Sequence, residues 1–448
     1  MLGKHDKQGA LYQYFTLEDL VPENHLLRRV NAVLDLGFLR ELVAPLYAEN
    51  MGRPSVDPEV AFRMMLLGYL YNLSDNRLAQ EIVMHAGYRW FCGLDFNDDV
   101  PERSALLKIR ERWAKGGVLD EILHRVVGQC IGAGLVKGDT LLIDGTLIKA
   151  NAAINSLEEI GRILELKTSE NEADDDPPDD ETKPRPPRKA GDPDFHGEKF
   201  ANATHRSATD PDARLYRKGP GKETKLSYIG NNLIDCQSGV ILSTKAMMAT
   251  GTAEREAALE MLASTDGYLR RDKRPLVAMD AGYKAGPFLS KVIEEGFDPV
   301  VPLPSEEFEE VPTWKRATRN PDYKRKRKEK QRAAEARNYV RSINKTREGR
   351  HASKQRQRIE HTFAEAKQWC GLDRARGRGL QRLQTQLVMT AITQNLKRLS
   401  KHLVLKKVGP AAQSANQIFS VIKEHAYNLG ELLTLYLSTT RLGFSHRF

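Results

Sequence analysis

Two short apolar runs, each carrying one aspartate, constrain this chain most: Leu141-Leu-Ile-Asp144-Gly and Leu276-Val-Ala-Met-Asp280-Ala-Gly. Apolar runs of this length, closed by glycine, favour buried strands. A third acid, Glu360, lies in Arg356-Gln-Arg-Ile-Glu360-His-Thr-Phe-Ala-Glu-Ala-Lys367. On an ideal helix, advancing about 100° per residue, Arg356, Glu360 and Lys367 fall within an arc of about 40°. Ile359, Phe363, Ala366 and Cys370 form an apolar stripe beside that arc. Such a helix docks on a core while aiming one acid, flanked by two cations, along the edge of the dock.

The 448 residues suffice for a sizeable core and for two or more folding units. The formal net charge of +9 is unevenly spread. Between Lys315 and Arg382 stand 23 Lys and Arg against 7 acids, so the rest of the chain is net acidic. A local excess of that size suits a polyanion, because each cation meeting a phosphate releases condensed counterions. A solvated basic helix would look the same in isolation; its direct continuation into the Glu360 segment favours nucleic acid. Cys92, Cys130, Cys236 and Cys370 lie far apart, without zinc-ligand spacing or a disulfide framework, and read as buried thiols of a reducing compartment. No apolar run approaches a membrane span and the N-terminus lacks a signal pattern, so the expected location is cytoplasmic and nucleoid-associated.

Residues 1–130 read as a helical, DNA-binding N-terminal unit. Pro58–Tyr71 is apolar almost all round, as a buried helix is. Asp75 is a candidate cap for the helix of Asn76–Met84, and Ser104 for that of Ala105–Trp113. The pair resembles a helix-turn-helix whose second helix carries Lys108, Arg110 and Arg112, although any small helical bundle gives this pattern. From Thr140 the periodicity turns to strands: one over Thr140–Ile148, a hairpin from Lys225 to Met247, one ending at Asp280 and one near Asp298–Pro302. Helices are expected at Ala253–Tyr268 and Phe288–Glu295. This order resembles the ribonuclease-H-like fold, an α/β mixed sheet flanked by helices, over residues 138–400. Residues 169–221 interrupt it with acidic, then proline-rich basic blocks and are expected to be largely disordered. A basic helical segment fills 315–354, and residues 401–448 form a helical tail.

Each acid alone is ordinary: an Asp after a strand is commonly a cap, and a Glu among cations a surface ion pair. Asp139 rivals Asp144, but at the start of its strand capping explains it better. The joint placement, two acids on strands and one on a later helix, suits divalent metal over a phosphodiester. Two ions about 3.5–4 Å apart supply an in-line nucleophile and relieve charge on the leaving oxygen. Mg²⁺ prefers hard carboxylate oxygens and retains waters. Three carboxylates packed without a cation would raise one another's pKa values.

At these residues the chain resembles a bacterial insertion-sequence transposase of the DDE (Asp-Asp-Glu) class over nearly its whole length. Asp144-Gly-Thr is similar to the family's first catalytic acid, Asp280-Ala-Gly-Tyr283 to its second and Glu360 to its third, with Arg356 and Lys367 at the family's spacing. Gly68-Tyr-Leu-Tyr71, Tyr88-Arg-Trp-Phe-Cys-Gly-Leu94 and the segment Asp98–Trp113 resemble the group's N-terminal domain. Two departures stand out: Ser353 occupies a position that is usually Tyr, and Glu102-Arg-Ser-Ala105 replaces the usual Asp-His-Ser-Thr.

The resemblance implies that Asp144, Asp280 and Glu360 are catalytic and bind two Mg²⁺ or Mn²⁺ ions. It also implies cleavage at terminal inverted repeats and cut-and-paste strand transfer into target DNA, by a homodimer in a synaptic complex. Candidate DNA contacts are Arg356, Lys367, Ser353, Arg103, Lys108, Arg110, Lys324, Arg325, Lys326 and Arg327. Two alternatives stay open: a metal-dependent nuclease without strand transfer, and an inactive or domesticated sequence-specific DNA-binding protein. A serine or tyrosine recombinase fits less well, since covalent catalysis through one hydroxyl needs no acidic triad.

Overall fold

The computed structural model describes residues 15–48, 52, 54–160, 200–217, 223–265, 269, 273–314 and 318–408. Its strands, in chain order, are β1 (Thr140–Lys149), β2 (Leu157–Glu159), β3 (His205–Ser207), β4 (Arg214–Tyr216), β5 (Lys225–Asp235), β6 (Ile241–Met248), β7 (Leu276–Ala278) and β8 (Asp298–Val300). β1 pairs antiparallel with β5 from Leu141↔Asp235 to Lys149↔Ser227, and parallel with β7. β7 pairs parallel with β8, while β6 and β4 pair antiparallel with β5. The order β4-β5-β1-β7-β8, with β6 beside β5, is the mixed ribonuclease-H-like sheet expected from the sequence. β1 opens on Leu141, Leu142 and Ile143, all fully buried, and β5 is buried along nearly its whole length. Strands covered on both faces lose the apolar–polar alternation of a half-exposed sheet.

The N-terminal helices are α1 (Leu17–Leu20), α2 (Leu26–Asn31), α3 (Leu39–Val43), α4 (Pro58–Leu70), α5 (Asp75–Met84), α6 (Ala86–Cys92), α7 (Arg103–Lys115) and α8 (Val118–Gly132). α4 is buried on most of its surface, as its all-round apolar sequence requires, and Asp57 caps it by accepting from Glu59 N at 2.8 Å. Two expected caps differ. Ser74, not Asp75, caps α5, and α7 begins at Arg103 with no side-chain cap bond from Glu102. α6 stands between α5 and α7, so these two are not the adjacent pair of a helix-turn-helix.

The later helices are α9 (Ala253–Ala263), α10 (Gly286–Glu294), α11 (Pro321–Lys345), α12 (Arg347–Gln355), α13 (Arg358–Trp369) and α14 (Leu380–Val408). α9 packs on β5 and β6, α12 on β7 and β8, and α13 on β1. α14 runs unbroken through residue 400, past the expected start of a separate tail, and packs on β6, α8 and α4. It therefore joins the helical region to the sheet, and one apolar core runs from Leu27 to Leu399 through both. Residues 409–448, most of the expected tail, lie outside the described residues. Cys92, Cys130, Cys236 and Cys370 are buried free thiols, as expected.

Within the segment expected to be largely disordered, residues 200–217 are ordered, forming β3 and β4. Polar anchors hold them. Asp210 is fully buried, accepts a hydrogen bond from Tyr228 Oη and another from Gly379 N at 3.0 Å, and Asp212 accepts from Leu380 N at 3.0 Å. Carboxylates that anchor a segment this way, Asp210 buried and Asp212 half-buried, leave no hydrophobic pattern to detect. Residues 169–199 lie outside the described residues.

Candidate active site

Asp144 sits midway along β1, opposite Asn232 of β5. Its Oδ1 accepts from Gly145 N at 2.8 Å, and its Oδ2 lies 3.9 Å from Arg356 Nη1. Burial pushes its carboxyl up to about 6 from an ordinary 3.8; the negative charges of Asp280 and Glu360 push the same way, against Gly145 N–H and Arg356. The three acids of the sequence reading thus share one electrostatic neighbourhood. Asp280 leaves the end of β7 and caps the short turn Ala281–Tyr283, accepting from Gly282 N at 2.8 Å. The parallel register pairs Leu142 with Ala278, the last residue of β7, and Asp144 and Asp280 each follow that rung by two residues. Glu360 is exposed in the first turn of α13.

The helix bearing Glu360 is not the ideal one of the arc calculation. Between α12 and α13 the bonds from Arg356 N to Ser353 O, Ile359 N to Arg356 O and Glu360 N to Gln357 O each span three residues. A turn of that kind advances about 120° per residue rather than about 100°. Arg356 is consequently not one ideal helical turn from Glu360, and its guanidinium reaches Asp144. Ser353 lies on α12, exposed, rather than on the helix of Glu360.

Lys367, expected beside Glu360 at a DNA backbone, donates from Nζ to Leu147 O of β1 at 3.1 Å and so ties α13 to the sheet. Arg110 departs furthest from expectation. It forms a bidentate pair with Asp75, at 2.8 and 2.9 Å, largely withdrawn from solvent, and is not presented to a phosphate. Asp75 is held below its ordinary value because Arg110's hydrogen bonds and charge outweigh the cost of burial. Arg103 and Lys108 on α7 are exposed. On α11, Lys324 and Lys326 are exposed, Arg325 pairs with Asp322 at 3.2 Å, and Arg327 stacks over Trp314 with 5.3 Å to the ring centroid.

A fourth carboxylate, absent from the sequence reading, belongs to the same neighbourhood. Glu254, in the first turn of α9, is half-buried; burial raises its pKa, and the charges of Asp280 and Asp144 add to the rise. In sequence it is one of two acids opening a helix, an ordinary complement to the helix dipole. The available signal was Gly145: a glycine inside a strand marks a close approach by another group.

The sequence comparisons agree with this architecture. Residues 15–112 match the model of a transposase domain known as DUF772, and residues 201–396 match that of the transposase DDE domain. The chain belongs to the DDE class of insertion-sequence transposases. It is therefore an enzyme acting on DNA phosphodiester bonds, in a family that generally depends on divalent metal. Asp280 and Glu360 fall inside the second matched segment and Asp144 before it. No solved structure matches the chain. No described helix of this transposase is long and apolar enough to cross a membrane.

The donor chemistry fits a hard divalent cation. Asp144 is raised by burial and by like charges, a penalty a cation would reverse. Among the described residues no three His, Cys, Asp or Glu side chains stand close enough to share one ion. The acids line a common region, and side-chain movement or solvent ligands must complete any coordination.

Proposed function

We propose that this transposase cuts DNA at the terminal inverted repeats of its own element and joins the freed ends to target DNA by a cut-and-paste route. Asp144, Asp280 and Glu360 are the catalytic carboxylates and would hold Mg²⁺ or Mn²⁺, two ions in all. The observation that supports the reading is that Asp144 on β1 and Asp280 just past the end of the neighbouring β7 each follow the Leu142–Ala278 rung by two residues, with Arg356, just before the Glu360 helix, 3.9 Å from Asp144. When bound, such ions activate water and neutralise charge on phosphate and leaving oxygens.

The chain's own residues prepare that region. Gly145 N–H and Arg356 favour the ionised form of Asp144, offsetting burial. Arg356, 3.9 Å from Asp144, would also meet a phosphate oxygen. Lys367 holds α13 against β1 and so fixes the height of Glu360 above the sheet. In the cut, a water oxygen bonds to phosphorus as the P–O3′ bond breaks, leaving a 3′-hydroxyl and a 5′-phosphate. In the joining step that hydroxyl attacks a target phosphodiester and displaces its 3′-oxygen.

Arg103, Lys108, Ser353, Lys324, Lys326 and, beside its partner Asp322, Arg325 form the proposed DNA-facing set. Arg327 contributes through its stack on Trp314. The N-terminal helices would bind the repeats, and a homodimer would bring two ends together on DNA in the cytoplasm. The test is cleavage of a labelled duplex carrying the flanking inverted repeat, with Mg²⁺ or EDTA, for wild type and Glu360→Ala. Metal-dependent nicking at the repeat end, lost in the variant, supports the reading. Tight binding with no cleavage by either protein sinks it in favour of a DNA-binding protein. A pre-cleaved end and a target plasmid then distinguish transposition from simple nuclease action.

A further inference from the structure

Gly145 sits next to Asp144 in the middle of β1, where a side chain would be expected to add packing. A β-carbon there would come within 2.8 Å of Asn231 Oδ1 and equally within 2.8 Å of Glu254 Oε1, so both oxygens face one point that only a glycine leaves open. Asn231 is fully buried and its Oδ1 has no hydrogen-bond partner, while its Nδ2 is committed to Lys245 O at 3.2 Å. The Tyr283 hydroxyl, on a side chain only 1 % exposed, also lacks a partner. It lies where the charges of Glu254, Asp144 and Asp280 all act on it. Buried polar atoms left unsatisfied are uncommon and call for a missing partner.

We propose that Glu254 Oε1 and Asn231 Oδ1 form an additional divalent-cation subsite beside Gly145, extending the acidic centre by a fourth carboxylate. The inference rests on the reading of Asp144 and Asp280 as metal-binding acids. A carboxylate and an amide oxygen are hard donors of the kind Mg²⁺ and Mn²⁺ select, and such ions fill their remaining positions with water. A water molecule donating to both oxygens would satisfy them as well. The combined negative field of Glu254, Asp144 and Asp280 favours a cation over a neutral occupant.

The test is titration of the full-length protein, without DNA, with Mn²⁺ alone, following the free ion by electron paramagnetic resonance. Glu254→Gln keeps the size of the side chain and removes its charge; Gly145→Ala fills the cradle from a different strand. Each is expected to weaken Mn²⁺ binding about 10-fold or more, with the thermal melt of the metal-free protein as the check of folding. Where Glu254→Gln melts early, Gly145→Ala decides. Asp144→Asn separates the two readings. If it weakens Mn²⁺ binding while Glu254→Gln and Gly145→Ala leave it unchanged, the subsite is overturned and the three-acid reading stands. If Glu254→Gln and Gly145→Ala weaken binding and Asp144→Asn does not, the cradle stands and the role given to Asp144 falls. If all three bind like wild type, both fall.

Discussion

Asp144 on β1 and Asp280, just past the end of β7, each follow the last paired rung of the two strands, Leu142 and Ala278, by two residues. Burial lifts the Asp144 carboxyl above its ordinary range, and the charges of Asp280 and Glu360 add to the rise. The fold holds Asp144 in a position that destabilises its charged form when no cation is present. A raised carboxyl opposes folding above its unfolded pKa, so that stability returns as pH falls through about 6 towards 3.8.

The first expected outcome follows from that sign. In EDTA, Asp144→Asn should stabilise the protein at pH 7.5 by about 2–3 kcal/mol, since one pKa unit is about 1.4 kcal/mol. The gain should shrink as pH falls from 6 to 4, where wild-type Asp144 is itself neutral. Thermal melts of both proteins across that range, with and without Mg²⁺, provide the check. A variant less stable than wild type at pH 7.5 would contradict the strain assigned to this carboxylate.

Glu360 is exposed and should behave differently. Glu360→Ala is expected to leave the melting temperature within a few degrees of wild type and DNA affinity nearly intact. Cleavage should fall by roughly 10³-fold, since a lost metal-holding group forfeits several kcal/mol of transition-state stabilisation. Single-turnover nicking and a binding isotherm on the same duplex separate the two effects.

Arg110 and Lys108, two residues apart on α7, are expected to part company. Arg110→Ala leaves the half-buried Asp75 without its bidentate partner and should destabilise the protein by about 1–3 kcal/mol. Lys108→Ala, at an exposed position, should not shift the denaturant midpoint but should reduce the salt slope of DNA binding by about 1. Urea unfolding beside salt-dependent binding of both variants is decisive.

Much of this was legible in the sequence, for physical reasons that can be named. β1, β7 and the docking face of α13 are apolar runs with clean periodicity, so their acids stood out and their order matched the sheet. Polar interiors were not legible. The Asp75–Arg110 pair, the Asp210–Tyr228 bond and the ordered β4 it helps to hold involve residues whose charge suggests a surface. Glu254 looked like any acid opening a helix, because only the folded sheet brings it beside Gly145. The tightened turn at Arg356 was hidden as well, since side-chain periodicity does not report whether a backbone bond spans three residues or four.

The last expectation concerns Arg376, which lies just beyond α13 and reaches back to the helical region. Its Nη1 donates to Leu73 O at 3.1 Å, and its Nη2 to Gly68 O at 3.1 Å, Asn72 Oδ1 at 3.0 Å and Cys370 O at 3.2 Å. Its guanidinium also lies 4.3 Å from the centroid of Tyr69. A planar fork that bonds several acceptors while stacking on a ring cannot be replaced by an ammonium. Arg376→Lys should therefore destabilise nearly as much as Arg376→Ala, by about 2–4 kcal/mol, because each loses the fork's simultaneous bonds to Leu73 O, Gly68 O and Cys370 O. Both variants should also loosen α4 from the sheet, seen as faster amide exchange in α4 than in β1 and β5. Equal exchange rates in α4, β1 and β5 would show that α14 alone joins the two regions, and a fully stable Arg376→Lys would show that charge, not geometry, is what this residue supplies.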